Sequence, residues 1–307
     1  MKKDLKQYFL ILLKGMGMGA ADVVPGVSGG TIAFITGIYE ELIHSIKSID
    51  GEAVRLFFTG RWKSFWKHIN GNFLLAVFGG IFIAVVSLAR ILEHLLETHP
   101  VLIWSFFFGL ILVSSVVVAR RIREWNYSRV VALVAGVAIA FYITSVTPAE
   151  TTEATWFIVL AGVLASCAMI LPGISGSFIL LLLGKYAFAL NAVNEVEVLS
   201  LLLLGIGAVI GLLSLSRLLS WLFRKYHDGT VAVLAGFMIG SLNKIWPWKQ
   251  TIETIVVDGM EKPLVQKNVL PAMADPGDRL LPALLMMLLG IGLILLFEVF
   301  LKKKEAD

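Results

Sequence analysis

The chain has 307 residues, of which 58% are hydrophobic and 16% are charged, with a net charge of +4. Its mean hydropathy is +0.85. This composition excludes an ordinary soluble domain and indicates an integral membrane protein. The single cysteine, Cys167, excludes an internal disulfide, and we expect it to pack as a small apolar group.

The first apolar segment follows a short charged start and resembles a secretory signal. It contains Lys14, however, and it is followed by closely spaced glycines rather than by a small-residue cleavage site. We therefore expect the N-terminus to stay attached. Residues 5–46 are predicted to form a helical hairpin.

Residues 49–71 combine aromatic and basic side chains, which is typical of an amphipathic segment lying on a membrane interface. Six later segments are apolar and long enough to be predicted as full spans, because ~20 helical residues cross a hydrocarbon core of about 30 Å. A second hairpin is predicted at 156–193, and the connector 246–279 is predicted to form a small extracellular cap. The predicted spans cover residues 73–95, 101–119, 130–146, 199–222, 230–246 and 280–300.

One motif occurs twice. Pro-Gly-Val-Ser-Gly-Gly at residues 25–30 is matched by Pro-Gly-Ile-Ser-Gly-Ser at 172–177, and Ser-Leu-Ala-Arg at 87–90 is matched by Ser-Leu-Ser-Arg at 214–217. Apolar segments interrupted at matching places predict two homologous repeats, with a transport site at their interface. The same organisation also fits some membrane enzymes. We place the first repeat at residues 1–150 and the second at residues 151–307.

The positive charges predict that the two repeats have opposite orientations, because Lys and Arg in short loops mark the cytoplasmic side. Placing every basic segment inside puts both termini in the cytoplasm. The first hairpin then enters and leaves on the inner side, and the second on the outer side. The basic segments are the N-terminus and residues 47–67, 120–129, 224–225 and 302–304, whereas the loops at 97–100, 147–155 and 191–197 contain no Lys or Arg.

The predicted fold is an all-α integral membrane protein with two inverted-topology repeats, each a re-entrant helical hairpin plus three transmembrane helices. Two full crossings per hairpin would give the same topology. We favour re-entrant hairpins because Pro-Gly at the bend leaves backbone amides without helical partners. Such amides are tolerated at membrane depth only inside protein or beside water.

Each repeated loop is predicted to begin a helix, with Ser28 and Ser175 as N-caps. The free amides and positive dipole end of a helix start favour an anion, and glycine lets a ligand approach the backbone. The alternative is that the glycines only allow close helix packing. The predicted phosphate-binding residues of the two loops are Ser28, Gly29, Gly30, Thr31, Ser175, Gly176 and Ser177.

Arg90 and Arg217 occupy matching positions inside predicted spans, each three residues after a serine on the same helix face. An ionisable residue at membrane depth is costly and calls for a reason. Because a guanidinium group binds phosphate in a bidentate fork, we assign both arginines to phosphate binding. The alternative is that each side chain only reaches towards an interface.

Three further residues are candidates for substrate entry or coupling. Lys14 and Asp22 either pair with each other or act separately, Lys14 on an entering anion and Asp22 as a proton-coupling carboxylate or a helix cap. Glu40, near the predicted inner surface, is a weaker candidate. The five histidines have no metal-ligand spacing, so we predict no metal and no cofactor.

Several segments resemble the signature of the bacterial polyprenyl-phosphate transporter family, formerly a membrane domain of unknown function. These are Lys-Gly-Met-Gly-Met-Gly at residues 14–19, Val-Pro-Gly-Val-Ser-Gly-Gly-Thr at 24–31, Gly-Ile-Tyr-Glu at 37–40, and the segments 171–177, 236–241 and 246–248. The resemblance covers nearly the whole chain. It implies a flippase that moves undecaprenyl phosphate from the outer to the cytoplasmic leaflet of the bacterial cytoplasmic membrane, for reuse in peptidoglycan and cell-envelope synthesis.

The implied partners are polyprenyl phosphate and membrane lipids, without nucleic acid. A homo-oligomer is possible.

A membrane lipid (pyro)phosphatase is one alternative, since undecaprenyl-diphosphate phosphatases resemble this chain in outline. Their loop carries Arg after the serine, whereas this chain has Gly29 or Gly176, and Ser28 has no evident neighbouring base. We therefore predict a transporter rather than an enzyme. An inorganic-anion channel or exchanger is a second alternative.

Overall fold

The computed structural model describes residues 4–24, 26–148, 151–152, 154–257, 260–271 and 280–306. The first half contains the helices α1 (Leu5–Val23), α2 (Gly29–Ile35), α3 (Tyr39–Lys47), α4 (Gly51–Phe58), α5 (Trp62–His68), α6 (Gly71–Thr98), α7 (Pro100–Ala119) and α8 (Tyr127–Ser145). The second half contains α9 (Thr155–Ile170), α10 (Gly176–Leu182), α11 (Tyr186–Asn194), α12 (Val198–Lys225), α13 (His227–Ser241), the strands β1 (Lys249–Val257) and β2 (Met260–Asn268), and α14 (Leu280–Ala306).

The predicted class, a helical membrane protein, is confirmed. Within the described part of the chain, five helices are long and apolar enough to cross a membrane, namely α6, α7, α8, α12 and α14. The fifth predicted span, 230–246, was wrong at its C-terminal boundary. Helix α13 ends at Ser241 and the chain turns before Pro247, which lacks the backbone donor needed to continue a helix.

Both segments predicted as hairpins, 5–46 and 156–193, consist of interrupted helices. The returning helices α2 and α10 have seven residues each, or about 10 Å at 1.5 Å per residue, so neither crosses a membrane alone. Gly26 and Gly173 reverse the chain with φ of +85° and +88°, a conformation that favours glycine. Helices α10 and α11 are bent by 113°, which fits both a re-entrant loop and a broken span. The re-entrant choice stays a prediction.

The helices pack in matching pairs. Helix α1 lies against α6 and α9 against α12, while α7 packs on α14 and α8 on α13. Glycines allow the close approach, as is common between membrane helices. A Cβ added at Gly80 of α6 would lie 2.1 Å from the carbonyl oxygen of Leu12, and one added at Gly207 of α12 would lie 2.1 Å from that of Val159.

Polar contacts define two ends of the bundle. At the end that we call the basic end, Glu40 lies 3.3 Å from His227, and Arg129 lies 3.8 Å from Asp228. These pairs join α3 and the first turn of α8 to the first residues of α13. Lys47 Nζ also donates to Ser220 Oγ near the end of α12, at 3.2 Å. The start of the basic segment 47–67, the end of the segment 120–129 and the end of α12 therefore lie at the same end of the bundle.

The opposite end, which we call the sheet end, carries the antiparallel pair β1 and β2. The side-chain amide of Asn243 donates to the hydroxyls of Thr144 and Ser145, each at 3.2 Å, and so anchors the chain before β1 to α8. The sheet departs from the all-α prediction for the connector. Asp-Gly at residues 258–259, a dipeptide typical of tight hairpins, is the sequence signal that predicts it.

The segment predicted to be amphipathic forms two short helices, α4 and α5. Phe57 contacts Trp62 and Phe65 with ring centroids 4.5 and 5.3 Å apart. Phe58 and Trp62 are exposed. An exposed aromatic surface among basic residues suits a membrane interface, and that location stays a prediction.

Replacing Gly80 with alanine should destabilise the protein, whereas the same change at the neighbouring Gly79 should not. Nothing lies within 4 Å of a Cβ at Gly79, while a Cβ at Gly80 meets the backbone of α1. Overpacking costs about 1–3 kcal/mol, and alanine raises the helix propensity at either position. We expect the midpoint of thermal unfolding in detergent to fall only for Gly80→Ala. Equal midpoints would contradict the described packing of α1 on α6.

Candidate functional site

The two repeated loops contact each other in the interior of the bundle. The hydroxyl of Ser28 donates to the carbonyl oxygens of Met169 and Leu171, at 3.2 and 3.1 Å. The amide of Gly173 donates to the hydroxyl of Thr31 at 2.9 Å. Ser28 and Thr31 are fully buried. The structure therefore brings together the loops that the sequence predicts to be neighbours.

Gly30 lies where the loops cross. A Cβ there would be 2.4 Å from the carbonyl oxygen of Ile170 and 3.1 Å from that of Met169. Only a residue without a side chain allows such an approach. The packing explanation for the motif glycines therefore accounts for Gly30, and the crossing itself depends on that packing.

The amides of the first loop have partners inside the protein. Gly29 donates to Asp22 Oδ1 at 2.7 Å, and Gly30 donates to Ser28 Oγ at 3.1 Å. The amide of Thr31 donates to the carbonyl oxygen of Ser28 at 2.9 Å. Ser28 is the N-cap of α2, as predicted, and Asp22 adds a carboxylate at the same helix start. Of the two roles considered for Asp22, this contact corresponds to the helix cap.

The second loop is arranged differently. Ser175 occupies the N-cap position of α10 without receiving an amide hydrogen bond, and its hydroxyl lies 2.8 Å from the hydroxyl of Ser177. Among the described residues, the amides of Gly176, Ser177 and Phe178 have no acceptor. The second loop therefore keeps hydrogen-bond donors that the first loop has already used.

Arg90 lies level with the first loop but on the outside of the bundle. Helices α1 and α6 run in parallel, with Gly15 beside Val77 and Gly19 beside Ile81. Continuing this alignment places Arg90 at the height of the first loop. Its side chain is exposed, and in the described part of the chain no contact joins it to either loop.

Arg217 has the equivalent position in the second half. Gly162 of α9 lies beside Leu204 of α12, and the thiol of Cys167 lies 3.5 Å from the carbonyl oxygen of Gly211. The same alignment puts Arg217 level with the second loop, again with an exposed side chain. The structure therefore does not bring the two arginines to the loops, and their assignment to phosphate binding stays a prediction.

Two cationic side chains bind carbonyl oxygens at the C-terminal end of α2. Lys14 Nζ donates to the carbonyl oxygen of Thr36 at 2.6 Å. Arg121, in the loop after α7, donates to the carbonyl oxygens of Phe34 and Ile35, at 3.2 and 3.1 Å. Positive groups stabilise the negative end of a helix dipole. Lys14 and Asp22 thus act at opposite ends of α2, and Arg121 is a participant that the sequence interpretation missed.

Glu40 lies away from the loops, at the basic end, where it faces His227. Lys185, the remaining cation inside a hairpin, is buried. Its ammonium group lies 6.0 Å from the ring of Phe157 and 5.8 Å from that of Phe188. Among the residues that the structure describes, no group of three or more His, Cys, Asp or Glu side chains could hold a metal ion.

Lys244 is the cation that the structure places beside the loops, and the sequence interpretation missed it. A Cβ added at Gly26 would lie 2.9 Å from Lys244 Cγ. Lys244 Nζ lies 4.5 Å from the ring centroid of Phe178. The available signal was an ionisable residue inside the predicted span 230–246, which is unusual at membrane depth. The comparison of repeats could not find it, because the matching position in the first half is Val117.

Comparison with known proteins gives a consistent result. A protein-family model described as undecaprenyl phosphate translocase-like matches residues 18–262. A polyprenyl-phosphate transporter of Vibrio cholerae is 47% identical over 301 residues, covering 96% of this chain and 98% of the relative. A polyprenyl-phosphate transporter of Staphylococcus aureus is 34% identical over 255 residues, covering 77% and 85%. No solved structure matches. Because the family model covers most of the chain, this protein belongs to the undecaprenyl phosphate translocase-like family.

Proposed function

We propose that this protein transports polyprenyl phosphate across the bacterial cytoplasmic membrane. The observation that carries the proposal is the 47% identity, over 96% of the chain, to a protein named as a polyprenyl-phosphate transporter. The helical membrane fold is the architecture that such a function needs. We further propose that the substrate is undecaprenyl phosphate, moved from the outer to the cytoplasmic leaflet for reuse in cell-envelope synthesis.

The proposed mechanism keeps the isoprenoid tail in lipid while the phosphate passes along the protein. The unpaired amides of Ser177 and its neighbours support the second loop as the anion-binding loop in this conformation. The first loop, whose amides are already paired, would release its donors in another conformation. The headgroup would then never meet bare hydrocarbon.

The two arginines suit binding of the headgroup as it passes the loops. Arg90 lies level with the first loop and Arg217 level with the second, and both side chains are exposed on the outside of the bundle. There each guanidinium group would meet a phosphate whose isoprenoid tail lies in the surrounding lipid.

Two inverted repeats, residues 1–150 and 151–307, would supply two related conformations that open the site to one side and then to the other. The matching helix pairs support this division, since α1 with α6 corresponds to α9 with α12, and α7 with α14 to α13 with α8. Both termini would be cytoplasmic. The contacts at the basic end support a common side for the basic segments.

The contacts of Ser28 and Asp22 do not favour hydrolysis of the lipid. The hydroxyl of Ser28 donates to two backbone carbonyl oxygens, whereas a nucleophile needs a base to accept its proton. The nearby carboxylate of Asp22 is bonded to the amide of Gly29. This geometry supports a binding role for the loops.

The proposed function is tested with purified protein in liposomes that contain undecaprenyl phosphate. We expect protein-dependent loss of the lipid from the outer leaflet without release of inorganic phosphate. Liposomes without protein control for leakage, and the Gly79→Ala variant, which should keep its stability, should transport as the wild type does. Phosphate release from the lipid or its diphosphate would contradict the transporter assignment, and so would an unchanged leaflet distribution with correctly folded protein.

Replacing Arg90 or Arg217 with alanine should slow transport by about tenfold or more, because a hydrogen bond to a charged group contributes about 1.5–3 kcal/mol. Lysine at either position should retain part of the rate, since it keeps the charge without the bidentate fork. Arg224→Ala, at an exposed site on the last turn of α12, is the matched control. If both alanine variants insert normally and transport at the wild-type rate, the arginine assignment is wrong.

The inverted topology predicts that Asn126 and Asn194 face opposite sides of the membrane. Both residues are exposed. Single cysteines at these positions, in a Cys167→Ser background, should react with an impermeant thiol reagent from opposite sides of oriented vesicles. Labelling of both cysteines from the same side would contradict the inverted arrangement of the repeats.

A further inference from the structure

Two lysines come together at the sheet end of the bundle, where the chain passes from α13 to β1. Lys249 Nζ donates to the carbonyl oxygen of Lys244 and lies 4.0 Å from the ring centroid of Trp104. Lys244 Nζ lies 4.5 Å from the ring centroid of Phe178. Each ammonium group is therefore set against an aromatic face, an arrangement that stabilises a cation.

This pair of cations is not neutralised by the protein around it. Among the described residues, no carboxylate forms an ion pair with either lysine. Burial, with the charge of Lys244 in addition, holds the pKa of Lys249 well below its usual value. Uncompensated charge away from water is costly, and a bound anion would offset that cost for both groups.

The free donors also point to an anion. An ammonium group has three N–H donors, and Lys249 uses one on the carbonyl oxygen of Lys244. In the part of the chain that the structure describes, Lys244 Nζ has an aromatic face but no hydrogen-bond acceptor. Several donors thus remain for the oxygen atoms of one ligand.

The backbone that carries these lysines is held from several sides. Asn243 is anchored to α8 through its side chain, and Asn268 of β2 donates to the carbonyl oxygen of Asn243 at 2.8 Å. The indole of Trp246 donates to the carbonyl oxygen of Val269 at 2.9 Å. A charged pair fixed in this way is preorganised for binding.

The pair also adjoins both repeated loops. The stem of Lys244 lies against Gly26 of the first loop, and its ammonium group faces Phe178, which follows Ser177 of the second. We propose that Lys244 and Lys249 form a binding site for a phosphate monoester dianion. The identification of a polyprenyl phosphate headgroup as its ligand rests on the proposed function, and free inorganic phosphate is the other source of the same chemistry.

The site is tested by binding of farnesyl phosphate to the full-length protein in nanodiscs made of zwitterionic lipid. We expect Lys244→Gln and Lys249→Gln each to weaken binding by about tenfold or more, since each removes a charged donor. Lys267→Gln, on the exposed face of β2, is the matched control and should bind normally. Lys244→Arg and Lys249→Arg keep the charge and should retain most of the affinity, which separates loss of the cation from a folding defect.

The ligand source is decided by competition. If millimolar inorganic phosphate displaces farnesyl phosphate, and analogues with a shorter tail bind with equal affinity, the lysine site is supported with a free anion as its ligand. If inorganic phosphate competes much more weakly than farnesyl phosphate binds, and farnesol does not bind, the lysine site is supported with a lipid headgroup as its ligand. Wild-type affinity in both glutamine variants, with normal thermal unfolding, overturns the site.

Failure of this site and failure of the proposed function give different results. If the glutamine variants bind and transport as the wild type does, the lysine site is wrong and transport stands. If binding depends on the lysines while the wild-type protein moves no lipid in liposomes, the site stands and the proposed function is wrong.

Discussion

Two side chains of the first repeated loop hydrogen-bond three backbone groups of the second loop in the interior of the protein. Backbone groups at membrane depth need partners within the protein. Ser28 and Thr31 provide them by binding the backbone of the opposite loop, at Leu171 and Gly173. The contact requires a glycine at residue 30, because a Cβ there would meet the carbonyl oxygen of Ile170. The short helices α2 and α10 are positioned by this crossing.

The crossing makes two similar sequences unequal. The first loop has a carboxylate at its helix start because Asp22 is present, whereas the matching residue in the second half is Met169. The first loop is therefore internally paired and the second keeps free donors. Lys244, which also has no counterpart in the other half, lies beside this second loop. The hydrogen-bond donors that stay free therefore lie at the second loop, with Lys244 beside them.

Much of the architecture could be predicted from the sequence because hydropathy and the repeated motif report it directly. The long apolar segments became α6, α7, α8, α12 and α14, and the motif marked both bends. The direction in which a side chain points could not be predicted with equal success. Spacing along a helix placed Arg90 and Arg217 at the height of the loops, but packing decides which face is buried, and both arginines are exposed. Lys244 was missed because the matching position in the first half is Val117, so a comparison of the two halves does not single it out.

We propose that the second loop and the neighbouring lysines receive the phosphate. The most direct measurement is a cryo-electron microscopy structure of the protein in nanodiscs loaded with a polyprenyl phosphate. We expect phosphate density within hydrogen-bonding distance of the amide of Ser177 and of Lys244 Nζ, with the isoprenoid tail extending into the lipid. Phosphate density bound only at the basic end, with both of these groups unoccupied, would contradict it.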